Sequence, residues 1–189
     1  MKDFFKKFFN FFDIFVVFFV IALMTRFFIV QPFLVRGDSM YPTFHNRDYL
    51  FVERLSYYFR EPERGEVIVF RFPKNEQDFF IKRVIGLPGE RVMLKDGKMS
   101  IEKPGDTAVF ALDEHMYLNS DIFTQGNIDT TLGKGEYFVL GDNRNASFDS
   151  RLWGVLPRRE IAGRVILRLL PPADAKTFFG TYYSLATQR

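Results

Sequence analysis

The chain has 189 residues, 26 Lys and Arg against 23 Asp and Glu, and no cysteine. That length suits one ordinary domain with a short appendage, and about 150 residues bury a core without staples. The lack of cysteine excludes disulfides, thiolate zinc sites and cysteine nucleophiles. A formal charge of +3, scattered without a clustered basic face, argues against nucleic acid as a partner.

The first element in chain order is apolar. Many of the 25 phenylalanines lie in the first 33 residues, and residues 4–30 read FFKKFFNFFDIFVVFFVIALMTRFFIV. No charge occurs from Ile14 to Thr25. Extended back to Phe8, the run has about 18 residues, and a spanning helix needs roughly 20. A transmembrane helix is expected, with Asp13 near one headgroup layer and Arg26 near the other. Lys2, Lys6 and Lys7 precede the run and favour a cytoplasmic N-terminus, although Arg26 and Arg36 on the far side oppose that orientation. Two other readings stay open. A cleaved secretory signal would need a small-x-small site, and RFFIVQPFLVR (26–36) offers none. An interfacial helix would need a polar face, and 14–25 has none. The expected organisation is a cytoplasmic N-terminus and anchor over 1–30. An extracytoplasmic β domain over 31–170, with an excursion at 103–135, would follow, and then a tail over 171–189. Such a chain would cross the cell membrane once.

Beyond Pro32, short runs of β-branched and aromatic residues alternate with turn signals. Strands are expected near 33–36, 48–55, 66–72, 79–85, 90–94, 98–102, 136–141 and 161–169. Asp96-Gly97 is a tight-hairpin signal. Helical periodicity is missing outside the anchor. The fold class is mostly β, an antiparallel coiled sheet or barrel-like domain. Residues 103–135 are irregular, with Pro104-Gly105 and Asn119-Ser120-Asp121. In the tail, the apolar stretch Phe178 to Ala186 is too short to span a bilayer.

His45 and His115 are the only histidines, and neither accompanies a recognisable nucleophile elbow. They also form no i,i+4 metal-binding pair, so no metal is expected. A serine hydrolase without histidine needs another base, and lysine is the main option. An exposed lysine, with a pKa of about 10.4, is nearly always charged at neutral pH, so the base must sit in apolar surroundings. Lys82, in FFIKRVIG, meets that test. On a strand it shares a face with Phe80 and Val84, while Arg83 shares the other with Ile81 and Ile85. Taken alone, the same placement better suits an edge lysine that deters aggregation. Ser39, in GDSMYPTF, lies on a loop where Gly37 permits an unusual backbone angle and Pro42 forces a turn. By itself this motif is weak. A third segment, GDNRNASFDSR (141–151), follows the apolar YFVL. It suits either a site whose polar groups orient one another or a solvated loop.

Together GDSMYPTF, NRDYLFVERLSY, IKRVIGLPGE and GDNRNASFDSR, in this order after one hydrophobic anchor, resemble the bacterial signal peptidase I family of Ser-Lys serine proteases. The resemblance implies a membrane-bound endopeptidase. It would remove N-terminal signal peptides from secreted preproteins after an A-x-A sequence, through an acyl-enzyme. It implies Ser39 as nucleophile, Lys82 as general base, and Ser147 as the hydroxyl that bonds the lysine amine. Asp142, Arg144, Asp149 and Arg151 would form a supporting polar network, with Arg83 contributing. The Ser39 N–H would supply part of the oxyanion hole. Some family members carry a serine at the position of Gly37 to complete that hole, and one lost donor is worth about 3 kcal/mol. Phe33, Val35, Met40, Phe44, Phe80 and Ile81, with Gly37, are expected to bind an extended substrate in shallow pockets. The implied partners are signal peptides of exported preproteins and the phospholipid bilayer. The implied enzyme is a monomer without cofactor. Two other classes were weighed. A self-cleaving Ser-Lys regulator predicts a DNA-binding helix pair and an internal Ala-Gly site, and neither is found. A tethered scaffold without activity predicts loss of Ser39, Lys82 or Ser147, and all three are present.

Overall fold

The computed structural model describes residues 12–21, 30–106, 108–119, 122–178 and 185–187. Residues 12–21 form a helix, α1, whose side chains are all exposed, Phe18 at 68% and Phe15 at 59% among them. No helix among the described residues is long and apolar enough to cross a membrane. The rest of the expected anchor lies outside the described residues.

The remainder is mostly antiparallel β, in two sheets. The larger contains β1 (Val30–Leu34), β2 (Tyr49–Glu53), β3 (Val67–Phe72), β4 (Asn75–Gly86), β9 (Glu136–Leu140), β10 (Leu156–Pro157), β11 (Ile161–Leu170) and β12 (Lys176–Thr177). Its strand order is β1-β2-β11-β3-β4-β9-β10, with β12 on β11. The smaller sheet runs β13-β7-β6-β5-β8. Its strands are β5 (Arg91–Lys95), β6 (Lys98–Glu102), β7 (Val109–Leu112), β8 (Ile128–Thr131) and β13 (Leu185–Thr187). A single helical turn, α2 (Ser150–Trp153), follows the 141–149 loop and is capped by the Asp149 carboxylate.

Local chemistry explains much of this. Asp96 and Gly97 both have positive φ, +51° and +78°, as the tight β5–β6 turn requires. The VIVF start of β3 is buried at all four positions. Val67 and Val69 enter one apolar cluster with Val52 and Val165, and Ile68 and Phe70 enter another with Val84 and Val139. A continuous apolar run is what a strand covered on both faces needs. β1 begins earlier than the expected 33–36, so Val35 and Arg36 fall past its end. The expected excursion at 103–135 contributes β7 and β8 to the smaller sheet, which already starts at Arg91.

Two strand edges position the site. β4 pairs with β3 along its length, but β9 joins it only from Arg83 onward. The first half of β4 therefore presents an open edge. β1 lies at the end of the strand order and presents another. The sheet curls until these edges face each other, with the Phe33 and Phe79 rings 5.4 Å apart.

Candidate active site

Ser39 lies in the loop between β1 and β2. The ladder continues briefly past β1, with Val35 N–H donating to Asp48 O and Arg47 N–H to Val35 O, both at 2.9 Å. Gly37 then turns the chain at φ +85° and donates its N–H to Asn46 Oδ1 at 3.1 Å. Met40 and Phe44 are buried in the core, 1% and 0% exposed. They were expected to bind substrate, and neither is among the residues that line the groove. They peg the turn to the sheet from below, which leaves Ser39 half-buried at the surface between exposed Asp38 and Met40. The 141–149 loop fastens the turn from the side. Asn143 donates its N–H to Ser39 O and its Nδ2 to Asp38 O, both at 3.1 Å.

Lys82 extends from β4 opposite Ile68 of β3. Strand alternation puts it on the face of Phe80 and Val84, and it is 4% exposed. Its Nζ lies 2.8 Å from Ser39 Oγ and 2.8 Å from Ile81 O, and 5.5 Å from the centre of the Phe80 ring. Burial pushes the amine down to about 8, while the Asp149 and Asp142 charges pull it back up.

The neighbouring cation is held differently. Arg83 Nε and Nη2 donate to the two Asp142 oxygens at 2.8 and 2.6 Å, and Nη1 donates to Gly65 O at 2.8 Å. Thr43 donates its hydroxyl to Asp142 at 2.5 Å, which ties the Ser39 turn to the same carboxylate. The expected polar network is present in two parts. Besides Arg83–Asp142–Thr43, Asp149 accepts from Arg151 at 2.8 and 2.9 Å and from Gly141 N–H at 3.1 Å. Arg151 in turn donates to Arg144 O at 2.8 Å. Arg144 is buried against Glu114, Thr124 and Gly141 O, at 2.6, 2.8 and 3.1 Å.

Ser147 departs from expectation. Its hydroxyl oxygen is buried and has no hydrogen-bond partner among the described residues, the lysine amine included. It lies directly above Gly141, where a Cβ would fall 2.2 Å from Ser147 Oγ and 2.4 Å from Ser39 O. Glycine at 141 is therefore what allows Ser147 and the Ser39 turn to approach each other.

A groove of about 720 Å³ runs between the two open edges. Residues 32–39 and 77–82 line it from the two edges, and Ala146 and Phe148 line it from the 141–149 loop. The sequence-expected Phe33, Val35, Gly37, Phe80 and Ile81 line it with Ser39 and Lys82. This arrangement has the parts for acyl transfer: a hydroxyl, a buried amine in contact with it, and a channel for extended chain.

The model of the peptidase family S26, signal peptidase, matches residues 8–170. The chain belongs to this family. Signal peptidase I of Leptolyngbya laminosa is 36% identical over 159 residues, covering 80% of this chain and 74% of that one. Signal peptidase I S of Bacillus subtilis is 37% identical over 148 residues, covering 76% and 79%. A solved signal peptidase I structure from Enterococcus faecalis is 29% identical, with TM-score 0.45, and covers 56% of this chain and 97% of that one.

Membership of the S26 signal peptidases makes the chain a serine peptidase. Sequence reading missed several residues of this site. Asn143 and Thr43 hold the Ser39 turn, and Phe79 and Phe148 are among the further residues that line the groove. Asn143 lies inside the polar segment already singled out. Nothing local marks Thr43, whose partner is 99 positions away.

Proposed function

We propose that this S26 peptidase is a membrane-tethered endopeptidase that cuts signal peptides from exported proteins after small residues, with Ser39 and Lys82 as its dyad. The observation that carries this reading is the 2.8 Å contact between Ser39 Oγ and a lysine amine that burial keeps near pKa 8. At neutral pH about one such amine in ten is uncharged, against fewer than one in a thousand for a solvated lysine.

The preprotein lies extended in the groove and adds its backbone to the open edges of β1 and β4. Ser39 passes its hydroxyl proton to the neutral Lys82 amine, and Oγ attacks the scissile carbonyl carbon. The Ser39 N–H, which has no acceptor among the described residues, faces the developing oxyanion. The Gly37 N–H is engaged by Asn46 and is not the second donor. The C–N bond breaks as Lys82 returns the proton to the leaving amine, the new N-terminus of the mature protein. Water then enters and gives a proton to Lys82 as its oxygen attacks the ester carbon; the bond to Ser39 Oγ breaks, Lys82 passes that proton to Oγ, and the signal peptide leaves as a carboxylate. Val35, Ile81, Phe33 and Phe79 leave shallow pockets, suited to the small side chains of A-x-A.

Apart from Asp13 near its start, α1 exposes only apolar side chains, which supports a tether, and few residues separate it from β1. The domain beyond it would then lie on the extracytoplasmic face as a monomer, close to the bilayer where signal peptides reside. Membranes carrying the full chain, washed at high pH, test both claims. Cleavage of an added preprotein should stay with the pellet. Ser39→Ala membranes should retain the protein and lose at least about 10⁴-fold in rate. Activity released to the supernatant sinks the tether, and turnover by Ser39→Ala sinks the nucleophile.

A further inference from the structure

Lys82 lines an open groove, yet only 4% of its surface is exposed. Ile68 covers it from β3, and Phe80 covers it along its own strand. Phe80 is itself only partly buried. Its ring is stacked on Phe72 at 4.8 Å and met edge-on by Phe148 at 6.3 Å. Phe148 also meets Phe72 edge-on at 5.7 Å. It remains 49% exposed at the rim of the groove.

Phe148 packs on the Phe72 and Phe80 rings at the edge of the core, not within it, and is the large apolar ring of an otherwise polar loop. Its backbone position is fixed by polar clamps on the next residue. Asp149 is held by Gly141 N–H and by Arg151, and it caps α2. The loop therefore carries Phe148 outward and holds it over the Phe72–Phe80 pair beside the dyad.

We propose that Phe148 is a positioning residue for catalysis, a cover that keeps water from the Lys82 amine. This rests on the reading of Lys82 as the base. The charged groups around the amine oppose the cover. Asp142 and Asp149, from the 141–149 loop, favour the ammonium form. β3 presents Ile68 and no charge, Arg83 beside it is paired to Asp142, and Arg36, Asp38 and Asp78 stand on the groove walls. Without the ring, water reaches the amine, desolvation weakens, and the two aspartates prevail. The amine then becomes more basic.

The test is the pH profile of kcat/KM, which reports groups of the free enzyme. Full-length chain in detergent cleaves a peptide with an A-x-A site between pH 6 and 10. The acidic limb of Phe148→Ala should move up by about one pH unit, making it about tenfold slower below the limb, with the curves converging at high pH. Phe148→Leu, which keeps an apolar cover, should hold the wild-type limb. Thermal melting should confirm both folds, since Phe148 is half exposed. A Phe148→Ala profile with the wild-type limb, or one lowered equally at every pH, overturns the cover while leaving the dyad intact. A wild-type profile without an acidic limb, or turnover by Lys82→Met, overturns the dyad reading and the cover with it.

Discussion

The two faces of β4 treat buried cations in opposite ways. Lys82 and Arg83 are adjacent and nearly equally buried, 4% and 2% exposed, and strand alternation sends them apart. On one face Arg83 receives both oxygens of Asp142, the Gly65 carbonyl and the Tyr117 ring at 4.1 Å. On the other, Lys82 receives a hydroxyl, one carbonyl and aromatic carbon. A guanidinium cannot give up its charge, so the fold must supply a counter-ion. An ammonium can, so an apolar site shifts it toward the neutral amine. The two faces also meet at Asp142, which is paired to Arg83 and whose charge also favours the lysine's ammonium form. The lesson is that buried charge becomes structure where it is paired and chemistry where it is left to neutralise.

Exchanging the chemistry of one face for that of the other should have the largest effect. Lys82→Arg keeps length and charge but installs a group that stays protonated. Preprotein cleavage should fall by about 10⁴-fold or more, with no recovery up to pH 10. A variant that regains rate at high pH would show that a different group accepts the proton. The next effect in size belongs to the other face. Asp142→Ala leaves Arg83 buried without its counter-ion, and breaking such a pair costs about 3–5 kcal/mol. Denaturant unfolding should show that loss. Stability within 1 kcal/mol of wild type would mean that the Gly65 carbonyl and Tyr117 suffice to hold the arginine.

Much of the Lys82 face was legible in the sequence. FFIKRVIG places apolar residues two positions either side of the lysine, and strand alternation does the rest. The β5–β6 hairpin was equally clear from Asp96-Gly97. The Arg83 face was legible only as a cluster of charges, because Thr43 and Asp142 meet across 99 positions and no local pattern announces that. Met40 and Phe44 were misplaced for a related reason. Apolarity next to a nucleophile does not say whether a side chain points into the groove or beneath the turn, and both point beneath. The Ser147–lysine bond, inferred from resemblance, is not made: the amine meets Ser39 and Ile81, and the Ser147 hydroxyl rests on Gly141. β7 and β8 escaped notice because four-residue strands between turn residues show little alternation.

The smallest effect is also the one with the less intuitive sign. Burial lowers the Lys82 amine from its ordinary 10.5 to about 8, so the folded state holds that proton less tightly than the unfolded chain. Below pH 8 both states are protonated and the fold bears the whole cost, on the order of 3 kcal/mol. Between pH 8 and 10.5 the folded amine is already neutral while the unfolded one is not, and the cost shrinks with each step. Above 10.5 it is gone. Lys82→Met removes the charge and also two hydrogen bonds, so it should stabilise the inactive protein by about 2 kcal/mol at pH 7. That gain should decline as the pH rises toward 10, by thermal or denaturant unfolding. Arg83→Met, leaving Asp142 buried and unmatched, should destabilise at the same pH. If both methionines shift stability in the same direction at neutral pH, the two faces are not the opposites their surroundings describe.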